Sequence, residues 1–168
     1  MQRMELVKLI RLAIIEEIRA ISELAKVVRS DMWINGLEQW TGNYPAYENF
    51  YQDYVNKGLY VLVEEGLIIG SVSIFVENEV AYHEVVWEKD KSLVVHRVIV
   101  DPARQGKGYG KQLLEFALSM AQQGGFDSVK IDTHPDNLKM QKLLKSMNFN
   151  YRGYLSSINR LAFEKVVE

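Results

Sequence analysis

A chain of 168 residues, 48% hydrophobic and 25% charged, reads as one globular domain over residues 1–168 with a real core. The net charge of −2 provides no general attraction to polyanions, which counts against wholesale nucleic-acid binding. With no cysteine in the sequence, a disulfide scaffold, thiolate catalysis and Cys-ligated zinc are excluded, and a cytoplasmic location fits.

The weak alternation of Glu5–Leu12 predicts a first strand. Leu6–Ile21 is apolar but carries Lys8, Arg11, Glu16, Glu17 and Arg19, which excludes a membrane span and counts against a signal peptide. Ile14, Ile18, Ile21, Leu24, Ala25 and Val28 have helical spacing and predict a helix over Ile14–Arg29. Met32–Tyr44 reads as a loop or short irregular helix. Pro45 suits the first turn of a second helix that runs to about Asn56 and ends at Gly58. Tyr60–Glu64 and Ile68–Val76 are rich in β-branched and aromatic residues and flank Glu65-Gly66, a hairpin turn. Glu77–Ser92 reads as a loop with some strand.

Leu93–Val100 is a strong strand signal that stops at Asp101-Pro102, because proline cannot continue a ladder. A Gly-rich loop follows, and then a helix over Lys111–Gln123 with Leu113, Leu114, Ala117, Leu118 and Ala121 on one face. Gly124-Gly125 ends it. Ser128–Thr133 is a short strand of buried character, and Asp136 or Asn137 caps a helix over Leu138–Met147. Phe149–Leu155 and Leu161–Val166 close the chain as a pair of strands. This order predicts a mixed α/β fold with helices on both faces of a mostly antiparallel sheet.

The chemistry concentrates in Gln105-Gly106-Lys107-Gly108-Tyr109-Gly110-Lys111, between a strand and a helix. Glycines allow a tight turn and close approach to a ligand. The first N–H groups of a helix have no internal partners, and the helix dipole favours an anion there. Arg104, Lys107 and Lys111 add positive charge, so a pyrophosphate suits the loop. A Walker A loop fails, because Gln105 stands at its first Gly and Gln112 follows Gly110-Lys111. The spacing Gly106, Gly108, Gly110 also fails the dinucleotide fingerprint. Lys107–Gly110 begins like an RNA-binding strand motif but continues as a helix.

Gln105, Gly108 and Gly110 do fit the pattern Gln/Arg, two residues, Gly, one residue, Gly/Ala. With Val98-Ile99-Val100-Asp101-Pro102 before it and Asn137–Leu144 ending in Asn148-Phe149 after it, the chain resembles the GNAT superfamily of acyl-CoA N-acyltransferases. The resemblance covers nearly the whole chain and is strongest over His96–Gly153. It implies a V-shaped splay between two parallel central strands, with acetyl-CoA as co-substrate and no metal. Its pantetheine arm would pair with the Val98–Ile99–Val100 backbone. The amides of Gln105–Lys111 would hold the pyrophosphate, Asn137 would contact the cofactor, and the Val98 N–H would polarise the thioester carbonyl. Direct attack by a neutral amine in a ternary complex is implied, and the lack of cysteine agrees with it. Many members carry a Tyr that protonates the leaving thiolate. Leu144 stands there, so no general acid is assigned; Tyr151 and Tyr154 are nearby substitutes.

On the acceptor side, Glu84 and His96 are candidate bases, with His83 beside Glu84. Trp33, Trp40, Tyr44 and Trp87 are candidate pocket residues, though aromatics more often pack. Acidic Glu38, Asp53 and Glu84 hint at a cationic acceptor. The expected partner is a small-molecule or peptide amine, with neither nucleic acid nor membrane, and the chain suits a homodimer through terminal strands. The alternative is a non-catalytic acyl-CoA-binding regulatory module, motivated by Leu144. A nucleic-acid binder using Arg104–Lys111 is weaker, given the acidic net charge.

Overall fold

The computed structural model describes residues 8–76 and 79–168. The first residues of the expected Glu5–Leu12 strand lie outside them. Strand β1 is seen over Lys8–Leu12, followed by a single 3-10 turn and α1 over Ile18–Ile34. Then come α2 (Tyr47–Val55), β2 (Leu59–Glu64), β3 (Leu67–Phe75) and β4 (Ser92–Val100). The chain continues as α3 (Tyr109–Gln123), β5 (Ser128–Thr133), α4 (Leu138–Ser146), β6 (Asn150–Leu155) and β7 (Arg160–Val166).

Among the described residues, seven strands form one sheet in the order β1-β2-β3-β4-β5-β7-β6, in which β4 and β5 pair in parallel and every other pair is antiparallel. On one face, α3 and α4 bury Leu113, Leu114, Ala117, Ala121 and Leu144 against Leu93, Val95, Val129 and Ile131. On the other face, Ile18, Ile21, Ala25 and Val28 of α1 and Phe50 of α2 pack on Leu59, Val61 and Ile99. Full burial of one such aliphatic side chain contributes about 1.5–3 kcal/mol. Several per helix hold α1 and α3 firmly on opposite faces of β4. The mixed fold expected from the sequence is the fold observed.

Three local differences have physical reasons. Helix α1 runs past Arg29 to Ile34, because the true breaker is Gly36 at φ 74°, not the Trp- and Asn-rich composition before it. Pro45 precedes α2, whose N-cap is Ala46. Residues 79–91 contain no strand; Val80–Glu84 form a 3-10 turn that seats Tyr82 on Val94, Leu155 and Ala162. The Glu65-Gly66 turn is as expected, with both residues at positive φ (52° and 77°), as a two-residue hairpin requires.

Two irregularities of β4 create the site. Its parallel ladder with β5 ends at Val95 and Ile131, although β4 continues to Val100 and β5 to Thr133. On its other edge, Ser73 pairs with His96 but Ser71 with Ile99, so β4 carries one surplus residue there. That is a β-bulge, and Arg97 within it has φ 49°.

Candidate functional site

The strand-to-helix junction is tied down before it turns. The Asp101 N–H donates to Ile69 O at 2.8 Å, and its carboxylate accepts from Ala103 N at 3.0 Å, capping the short turn Pro102–Arg104. Gly106 and Gly108 then adopt φ 78° and 81°, the left-handed region costly to other residues. A Cβ on either would meet no protein atom within 4 Å, so both present open backbone to the groove beside them. Gly110 differs: a Cβ there would make an ordinary 3.5 Å contact with Leu143, consistent with a Gly/Ala position. Gln112 is the first residue of α3 whose N–H reaches a carbonyl of the turn, Gly108 O at 3.0 Å. At a helix start of this kind the dipole favours an anion. The buried Tyr109 side chain anchors the loop by donating to Glu64 Oε2 at 2.7 Å.

Beside this loop lies a groove of about 830 Å³, walled by Val98 and Val100 of β4, the loop itself, Val28 and Met32 of α1, and Leu138 and Leu143 of α4. Its volume suits a large ligand. Gln105 spans it from wall to wall: its amide donates to Asp31 at 3.3 Å and its carbonyl accepts from Lys139 at 3.0 Å. Beyond Val95, β4 has no β5 alongside, so its main chain on that edge faces the gap.

A second cavity, of about 230 Å³, opens where the strands part. It shares Met32, Val98, Asn137 and Met140 with the groove, so the two spaces meet at Val98. Its walls include Trp40 and Tyr44 from the loop after α1, His96 and Arg97 of β4, Asp132 of β5 and Arg160 of β7. Arg97 grips Asp53 with two hydrogen bonds, at 2.8 and 2.6 Å, and donates to the Tyr44 hydroxyl at 2.9 Å. Asp53 also accepts from Ser73 at 2.6 Å. Arg160 donates to the carbonyls of Gln39, Ile158 and Asn159. Burial, reinforced by Arg97, pushes His96 down to about 4, so it is neutral at physiological pH. Burial raises Asp132 to about 6; a hydrogen bond from Tyr82 at 2.7 Å opposes that rise, Glu79 adds to it and Arg160 opposes it.

The residues singled out in the sequence divide by position, with Val98 and Asn137 shared between the two spaces. Val98, Val100, Gln105, Gly106, Gly108, Tyr109, Gly110, Lys111 and Asn137 border the groove, and Trp40, Tyr44 and His96 border the cavity. Exposed Lys107 lies within the loop, whereas the Ile99 side chain is buried against α1 and α2. Asn137 caps α4 by accepting from Met140 N at 3.1 Å and donates to Gln39 at 2.8 Å, so the helix-cap role is occupied. Trp33 is exposed and lines neither space. Trp87 packs on Tyr82 and under the Lys130 ammonium, away from both. The Glu84 carboxylate is taken up at the surface by Ser156 and Ser157. Asp53, read as a hint of a cationic acceptor, is neutralised internally by Arg97. Leu144 is fully buried under α3, and exposed Tyr151 and Tyr154 line neither space.

Asp132, Arg97 and Gln39 are the site residues that sequence reading missed. Gln39 accepts from Asn137 at 2.8 Å and more loosely, at 3.4 Å, from Thr133 Oγ1 and His134 N, fastening the loop after α1 over the junction. The left-handed Arg97 has no sequence signal, and Asp132 sits in a strand read only as buried.

A family model described as "Acetyltransferase (GNAT) family" matches residues 25–149. Among solved structures, a GNAT-family acetyltransferase from Streptococcus agalactiae 2603 is 26% identical, with 98% of this chain and 99% of that one covered at a TM-score of 0.83. A GNAT-family acetyltransferase from Listeria monocytogenes 4b F2365 superposes at 0.80 with 18% identity, covering 99% of both chains. Ard1 from Thermoplasma volcanium superposes at 0.67 with 14% identity, covering 96% and 98%. The last two likenesses show the fold alone. No curated protein matches the chain significantly.

Proposed function

Since the chain belongs to the acetyltransferase (GNAT) family, we propose that it moves the acetyl group of acetyl-CoA to an amine by direct attack, with both substrates bound together. The observation that carries the reading is the meeting of groove and cavity at Val98, where β4 has left β5. One substrate fits along the Gly loop, the other fits the cavity, and their reacting ends meet at that residue.

The residues present fit acetyl-CoA. Two left-handed glycines with open space above them, amides at a helix start, and Lys107 and Lys111 suit a diphosphate. The Val98 and Val100 main chain suits an amide-bearing arm, as an added strand edge would. The thioester supplies an activated acyl carbon. Residues of this chain then orient it, and the Val98 N–H donates to the carbonyl oxygen as negative charge develops there. With no cysteine, the protein offers no thiol for an acyl-enzyme. The departing thiolate needs little help, because a thiol such as that of cysteine ionises at ~8.5, so Leu144 in place of a proton donor is compatible with turnover.

Incubation with acetyl-CoA and an amine panel, read by release of free thiol, tests this. Release that depends on a particular amine is the expected result. CoA binding without release from any amine would instead assign the chain as an acyl-CoA-binding module.

A further inference from the structure

We propose that Asp132 receives the acceptor's ammonium and takes its proton, so that the acceptor is a small alkylamine without an acid group. This rests on the acetyl-transfer reading above and names the base and substrate class that it leaves open.

Asp132 lies immediately after Ile131, the last residue of β5 paired with β4. The parting of the strands that opens the groove therefore also opens Asp132 to the cavity. Tyr82 holds one carboxylate oxygen at 2.7 Å. The other has Arg160 Nε at 3.9 Å, an ion-pair distance too long for a hydrogen bond. The side chain is 16% exposed, which leaves it reachable from the cavity.

The other charges around it decide what fits. Arg97 is paired with Asp53 and bonded to Tyr44, and Arg160 holds three main-chain carbonyls through its Nη groups while its Nε is ion-paired with Asp132 at 3.9 Å. Glu79 stands at the rim, 3.7 Å from His96, which is neutral. An ammonium thus meets Asp132 and Glu79, whereas the cations that a substrate carboxylate would meet among the described lining residues, Arg97 and Arg160, are already paired with Asp53 and Asp132. Trp40 and Tyr44 offer an apolar, cation-tolerant wall. A volume of about 230 Å³ falls below that of drug-sized sites, so the acceptor is small.

Proton transfer is a real obstacle here. An alkylamine of pKa ~10.4 is neutral in only about one molecule per thousand at pH 7.4. Asp132, ionised above about 6, takes one proton from the ammonium. The neutral nitrogen then bonds to the acyl carbon, and the C–S bond breaks with its electron pair going to sulfur. The nitrogen's surplus proton goes to the thiolate, giving the thiol, and Asp132 returns its proton to water. Groups facing Asp132 are Tyr82 and Glu79 from the 79–84 turn, Arg160 from β7, and His96 and Arg97 from β4. Tyr82 is raised well above its usual range, mainly by burial and then by Asp132, and stays protonated as a donor.

The test uses the full chain, acetyl-CoA, and two amine pairs: phenethylamine against phenylalanine and butylamine against 4-aminobutyrate. Thiol release is followed from pH 4 to 9, with CoA affinity measured separately. Wild type is expected to prefer the acid-free amines at least tenfold in kcat/KM, with activity falling below about pH 6. Asp132→Asn should lower kcat/KM about 100-fold and remove that limb while CoA affinity holds. Tyr82→Phe should move the limb to higher pH, because it removes the hydrogen bond that favours the carboxylate; this reads the proposal even if Asp132→Asn fails to fold. Preference for the carboxylated amines, an unchanged rate and limb in Asp132→Asn, an unmoved limb in Tyr82→Phe, or a limb abolished by His96→Gln would overturn it. No turnover by wild type with any amine would defeat the acetyl-transfer reading itself, and this proposal with it.

Discussion

In the groove, the groups that face a ligand belong largely to the main chain; in the smaller cavity they belong to side chains. The groove's donors come from one continuous segment, where two left-handed glycines and a helix start place successive amides side by side. The cavity draws on the loop after α1, the bulge of β4, the end of β5 and the start of β7. A site made of backbone is specified by local conformation and tolerates exchange of most side chains. A site made of side chains depends on partners brought from far along the chain, and each partner carries its own packing cost.

Substitutions in the two regions should therefore fail in different ways. The largest effect belongs to Arg97→Ala, which leaves Asp53 buried without its partner. About 3 kcal/mol of stability should be lost, measured by urea unfolding. At temperatures where it stays folded, the amine KM should rise while CoA affinity holds. Lys107→Glu should do the opposite, weakening CoA binding about tenfold by calorimetry while leaving the unfolding midpoint in place. Asn137→Ala removes a helix cap and the tie to Gln39 and should cost about 1 kcal/mol. Because Asn137 borders both spaces, it should disturb both substrates, blurring the division at their junction. The finest test is a pair. Gly108→Ala forces a side chain into φ 81° and should cost about 1 kcal/mol and some CoA affinity. Gly110→Ala should change stability by less than about 0.5 kcal/mol. Equal effects at the two glycines would mean that backbone conformation is not what the loop requires.

The same division explains what was legible in the sequence. The strand, Gly loop and helix are contiguous, so Val98 to Lys111 are recognisable together. The cavity was only partly legible. Asp53 and Arg97 are 44 residues apart, and Tyr82 and Asp132 are 50 apart. No local period links them, and although alternation with Val129 and Ile131 puts Asp132 on the opposite face of its strand, nothing local names the partners it meets there. Glu84 and Trp87 were placed on the acceptor side because their segment is polar and aromatic. That segment instead lays Tyr82 into the core, and Ser156 and Ser157 claim the Glu84 carboxylate. Composition reports that a side chain can do chemistry, but only the fold decides whether a neighbour has already consumed it.

The surplus residue in β4 has one more consequence. Leu93, Val95, Val98 and Val100 all meet the layer beneath α3 and α4, although a regular strand would send Val95 and Val98 to opposite sides. Arg97 is the extra step that lets the inside–outside count resume unchanged beyond it. Excising it would leave the same valines facing the same way, so the apolar layer beneath α3 and α4 does not depend on the insertion, although buried Asp53 does. The added residue thus sets a guanidinium between Asp53 and Tyr44 without redirecting any apolar side chain that follows it in the strand.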